Sequence, residues 1–166
     1  MYRSVNDFLE DWKFESDGTL KLLGKLSDKS LQQKVTKAGR SLGRLAWHLA
    51  LTLPEMLNRT GLAVEGPTED APIPKTVKEI VEAYRKSAEA VSLQVKKQWK
   101  NSDLRDEVNM YDENWKKGKV LLSLILHQTH HRAQMTVLMR QAGLEVTGIY
   151  GPAREEWKQF NVPPME

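Results

Sequence analysis

Residues 120–143 read VLLSLILHQTHHRAQMTVLMRQAG. On a helical wheel with His127 at zero, Val120 and Leu138 fall at about +20°, His131 at about +40°, Leu124 at about +60° and Met135 at about +80°. Apolar residues recurring at three and four predict one long helix over about 113–141, which Gly143 stops. Two histidines share its apolar stripe: His127 and His131 are separated by about 6 Å of rise. His130 falls about 60° to the other side. The run Val120–Leu126 is apolar on more than one face, which predicts either a central helix or one whose back a second subunit covers.

Three further helical segments precede it. The first spans about 4–26 with Val5, Phe8, Leu9, Trp12, Leu20, Leu23 and Leu26 in register, although Asp17 and Gly18 weaken the case for one unbroken helix. The second spans about 41–58, with Leu42, Leu45, Leu49, Thr52 and Met56 on one stripe and a kink expected at Pro54. Gly61–Pro74 (GLAVEGPTEDAPIP) reads as a long crossover or a mobile flap. A third helix opens at Thr76, where Thr76 and Glu79 have the spacing of a capping box, and runs to about Trp99. Residues 101–112 read as a polar connection, and a short helix is expected at 153–160. Strand patterns are nearly missing. The predicted fold is all-α, a four-helix bundle with a long crossover loop, formed by a single domain over residues 1–166.

Composition narrows the chemistry. The chain has 166 residues, 40% of them apolar and 28% charged, enough for one sizeable core and incompatible with disorder by composition. Lys and Arg number 25 against 22 Asp and Glu, a net charge of +3 too small and scattered to demand a nucleic acid. No apolar stretch approaches a membrane span or a signal peptide, so the expected location is the cytoplasm, with no membrane partner. Cysteine is absent. Any metal ligands are therefore nitrogen or oxygen, and no thiolate nucleophile comes from the chain itself.

The chain has four histidines, and the fourth, His48, borders the apolar stripe of the second helix in LAWHLA. Placing three imidazoles at a core is costly unless something satisfies them, and a divalent cation does so directly. Three ligands from two facing helices would leave a position open, as catalytic sites do. Spacing alone keeps a second reading open, a non-catalytic binding bundle with structural histidines. Gln128, standing where a glutamate would be, excludes the HExxH protease signature.

His48 in LGRLAWHLA, followed by HxxxHRxQ (His127, His131, Arg132, Gln134) and MTVLMRQAGLEV, resembles the DinB/YfiT-like superfamily of four-helix-bundle metalloenzymes over nearly the whole chain. Ala133 stands where a glycine is often found. The resemblance implies a metal held by His48, His127 and His131, zinc or nickel foremost and manganese or iron next, and a homodimer. Some members are thiol-dependent transferases or isomerases. For this chain the resemblance implies a metal-dependent transferase or hydrolase acting on a small molecule, with an external low-molecular-weight thiol as the accompanying cofactor.

His130, Arg132, Gln134 and Thr52 are candidates for orienting the imidazoles or lining a pocket. For Arg132 a structural hydrogen bond is the competing reading, and for His130 a surface position. Trp47, Tyr150 and Trp157 are candidate pocket walls or core. The clusters Lys96–Lys97–Lys100 and Lys116–Lys117–Lys119 read as solvated helix ends. DNA binding, suggested only by the family's name and a pI near 9.0, is the weakest of the readings.

Overall fold

The computed structural model describes residues 1–164. Four helices form the bundle: α1 Val5–Leu23, α2 Leu42–Asn58, α3 Val77–Gln98 and α4 Lys117–Gln141. Helices α1 and α2 each pack against both α3 and α4, so α1 and α2 face each other across one diagonal and α3 and α4 across the other. Phe8, Trp12, Leu49, Leu53, Ile80, Val91, Leu121 and Leu138 meet in the shared core. Among the described residues, no helix is long and apolar enough to cross a membrane.

Start signals explain the helix boundaries. Ser4, Ser41 and Thr76 each accept a backbone N–H from the first turn, and Glu79 returns the contact to Thr76 as a capping box. Gly143 takes φ +73° past the end of α4, where the N–H groups of Gly143 and Leu144 donate to the carbonyls of Arg140 and Met139.

Several expectations are corrected. Helix α1 is unbroken through Asp17 and Gly18, and Gly18 lies under Ile149 of the carboxyl-terminal segment, where a Cβ would come within 2.9 Å. Gly61–Pro74 links neighbouring helices, and the diagonals are spanned instead by the segments before α2 and before α4. Nor is this loop loose: Leu62 and Val64 are buried, the Asn58 amide brackets Val64, and Ala71 accepts from the Trp47 indole.

The connection before α4 contains an antiparallel hairpin, β1 Glu107–Met110 and β2 Glu113–Lys116, with Val108 opposite Trp115. Helix α4 therefore starts at Lys117, four residues later than its apolar period suggested. Only one face of α4 is buried, and Leu126 and Val137 stand on the outside. It is not a central helix. The expected helix at 153–160 is a 3₁₀ helix, Arg154–Phe160.

Candidate metal centre

His48 lies two turns into α2, and His127 and His131 lie one turn apart on α4, the helix packed against it. Gln128 fastens the two helices beside them: its amide donates to the Leu49 carbonyl at 3.1 Å and to the Thr52 hydroxyl at 3.4 Å. Thr52 in turn donates to the His48 carbonyl at 3.0 Å. It thus touches the backbone of His48 rather than the ring, and it also lines the cavity beside it.

The three rings converge through one nitrogen each. His127 Nε2 is 3.3 Å from His48 Nε2 and 3.1 Å from His131 Nε2. With metal–nitrogen bonds of about 2.0–2.1 Å, two imidazole nitrogens on one cation stand about 3.0–3.4 Å apart. The spacing fits.

Protonation fits as well. The carbonyl oxygen of Gln134 can only accept, so His131 Nδ1 carries the proton, donates to Oε1 at 2.8 Å and leaves Nε2 bare. The Gln134 amide nitrogen faces His130 Nε2 at 3.0 Å. His127 Nδ1 is buried without a partner among the described residues, so the polar contacts of this ring are all at Nε2. Burial first, then the neighbouring imidazoles, push His48 down to about 4, with Arg40 and Arg44 adding to the effect. Burial and the neighbouring histidines bring His127 to about 4 as well, and burial lowers His131. All three are neutral at physiological pH, the form that ligates metal. The three-histidine group can hold a metal ion.

A cavity of about 510 Å³ opens beside His48 and His127. Leu51, Met56, Tyr111 and Trp115 form apolar walls, and Arg44, Glu55, Glu69 and Ser123 bring polar groups. Glu55 is engaged already, accepting from Arg59 Nε at 2.7 Å and from the Tyr111 hydroxyl at 2.8 Å.

Of the other expected residues, Gln134 contacts a ring of the cluster. His130 is exposed; its ring lies edge-on to the His131 ring, centroids 4.9 Å apart, and Gln134 bridges the two side chains. Arg132 points the other way, into α1. There it is buried, pairs with the Glu15 carboxylate, and donates to the Glu15 carbonyl at 2.6 Å and the Tyr150 hydroxyl at 2.7 Å. Tyr150 belongs to that network and Trp47 to the loop contact, so neither walls the cavity. Trp157 meets Phe160 instead. Lys117 pairs with Asp106 at 3.3 Å, and Lys119 lies 4.0 Å over the Trp115 ring.

The wheel did hold a signal for two of the residues that were missed. Arg44 and Glu55 lie within about 40° and 20° of His48 on α2. Tyr111 and Trp115 have no such signal, because the residue pattern of the hairpin that carries them is that of a loop running into a helix.

A four-helix bundle that gathers three neutral imidazoles from two helices beside an open cavity defines a class: helical-bundle proteins with a candidate three-histidine metal centre. The DinB family model matches residues 1–164, and the chain belongs to the DinB family. It is 43% identical over 162 residues to the uncharacterised protein YrdA of Bacillus subtilis (strain 168), spanning 98% of this chain and 97% of YrdA. The crystal structure of a DinB-like protein from Bacillus cereus ATCC 10987 superposes with a TM-score of 0.87 at 41% identity, over 90% of this chain and 100% of that one. A more distant DinB-like protein, YjoA of Bacillus subtilis, shares the fold, with a TM-score of 0.68 at 16% identity over 89% and 99% of the two chains.

Proposed function

We propose that this protein is a metal-dependent enzyme acting on a small molecule in the cavity between α2, α4 and the hairpin. Nε2 of His48, His127 and His131 would hold a divalent cation, zinc or nickel before manganese or iron. One observation carries the reading: three imidazole nitrogens meet at 3.1 and 3.3 Å beside a cavity of about 510 Å³. When bound, a divalent cation lowers the pKa of a thiol or water it touches and so supplies a nucleophile near neutral pH.

The chain's own residues do the rest. Gln134 holds His131 in the tautomer whose Nε2 is bare, and Gln128 with Thr52 keeps the two ligand-bearing helices in register. Leu51, Met56, Tyr111 and Trp115 exclude water and face the apolar part of a ligand. Because the chain has no cysteine, the thiol of a transferase reaction would come from a low-molecular-weight cofactor, and water in its place would make the protein a hydrolase. The reading includes action in the cytoplasm and a homodimer that covers the outer side of α4 at Leu126 and Val137.

Elemental analysis of the purified protein tests the proposal. The expected result is about one equivalent of divalent metal in the wild type and much less in His127→Ala. Absence of metal from both proteins overturns it. A screen of thiol cofactors with electrophilic and hydrolysable substrates then separates transferase from hydrolase, and sedimentation tests the dimer.

A further inference from the structure

Arg44 stands one turn before His48 on α2, about 6 Å of rise away and on the same face, where it lines the cavity. Among the described residues its side chain makes no hydrogen bond and no ion pair, and its backbone N–H donates to the Ser41 hydroxyl at 3.1 Å. The helix itself does not favour a charge of this sign here. A cation in the first turn opposes the helix dipole, and the first turn of α2 contains no acidic residue to offset it.

The carboxylates of the cavity lie toward the other end and are spoken for. Glu55 is held by Arg59 and the Tyr111 hydroxyl, and Glu69, largely exposed, lies 3.9 Å from Arg59. Arg44 is therefore a free guanidinium beside three neutral imidazoles. Beyond the histidines, the cavity continues past Leu51 and Met56 to the hairpin aromatics.

We propose that Arg44 anchors a carboxylate of the molecule that occupies this cavity, so that the substrates are small organic anions with an apolar body. A guanidinium offers a carboxylate two parallel N–H donors in one plane, an arrangement that binds a neutral acceptor more weakly and repels a cation. The carboxylate held at Arg44 stands within one helical turn of the histidine nitrogens, so the reacting atom is only a few bonds from it. The apolar body extends along Leu51 and Met56 toward Tyr111 and Trp115. The inference rests on the reading of this cavity as the substrate site and names the class of molecule it takes.

The test uses chelated, metal-free protein, so that a cation at the histidines cannot itself attract the anion. At about pH 8, where the imidazoles are neutral, the wild type is titrated calorimetrically with hexanoate, hexanamide and hexylamine. Hexanoate is expected to bind at least about tenfold tighter than hexanamide, with hexylamine the weakest, since hydrogen bonds to a charged acceptor are stronger than those to a neutral one. Arg44→Gln should bring hexanoate down to the affinity of hexanamide, and Arg44→Lys should keep part of the difference. Hexanoate binding no tighter than hexanamide in the wild type, or undiminished in a folded Arg44→Gln protein, overturns the assignment. Metal content of wild type and Arg44→Gln is measured on separate, unchelated samples. Selective hexanoate binding by a protein without metal would leave this inference standing and remove the metal. Bound metal without selectivity would do the reverse.

Discussion

The Nδ1–H of His131 donates to Gln134 Oε1 at 2.8 Å, and the same ring turns its bare Nε2 to His127 at 3.1 Å. One exposed glutamine thereby sets both the tautomer and the angle of a buried imidazole. Groups that hold a ligating histidine in this way typically change metal affinity by about 10–100-fold. Gln134→Leu is expected to weaken metal binding by about that factor while leaving the melting temperature of the metal-free protein unchanged. Competition against a chromophoric chelator measures it, and an affinity within about twofold of wild type would show that the contact is incidental.

The same cluster makes the metal-free protein sensitive to acid. In an unfolded chain His48 and His127 titrate near 6.5, whereas burial holds both at about 4 in the fold. Between these values the unfolded chain binds protons that the folded chain refuses. Stability is therefore complete above about pH 6.5 and declines as the pH falls toward 4. Urea unfolding of chelated protein between about pH 7.5 and 5 should show the decline, and His127→Leu should flatten it. An equal slope in both proteins would mean that groups elsewhere cause it.

Arg132 sits beside His131 in sequence and serves the opposite side of α4. It pairs with Glu15, whose side chain is 9% exposed, and Tyr150 donates to the same carboxylate at 2.7 Å. Removing one partner leaves a buried charge uncompensated, so Arg132→Met is expected to cost about 3–5 kcal/mol. Tyr150→Phe removes a single hydroxyl and should cost about 1–2 kcal/mol. Both proteins should keep their metal stoichiometry. Loss of metal from a folded Arg132→Met protein would place this residue at the site after all.

The parts of this molecule that a period can describe were legible before any coordinates. The α4 stripe placed His127 and His131 on one face, and the Thr76–Glu79 box marked the start of α3 to the residue. His48 could be placed beside them only because α2 and α4 pack together, which no single-helix pattern states. The same period separates Arg132 from Gln134: with His127 at zero they fall at about +140° and −20°, and the first turns to α1 while the second meets the imidazole. The hairpin escaped because its turn is Tyr111–Asp112, not the Asn-Gly or Asp-Gly pair that signals a two-residue loop.

That turn yields the last prediction. Tyr111 and Asp112 have φ of 56° and 67°, the left-handed pair that a two-residue hairpin needs and that side chains resist. Tyr111 is repaid by contacts that Glu55 and Arg59 supply: its hydroxyl donates to the carboxylate at 2.8 Å, and its ring lies 4.8 Å from the Arg59 guanidinium. No side-chain hydrogen bond or ion pair holds Asp112 among the described residues. Asp112→Gly should therefore stabilise the protein by about 0.5–1 kcal/mol, since glycine adopts this conformation freely. Tyr111→Gly removes the same strain along with the contacts at the cavity wall, and should destabilise. Chemical denaturation of the two variants decides it, and a loss of stability in Asp112→Gly would mean that the aspartate side chain holds the turn in a way its backbone angles do not reveal.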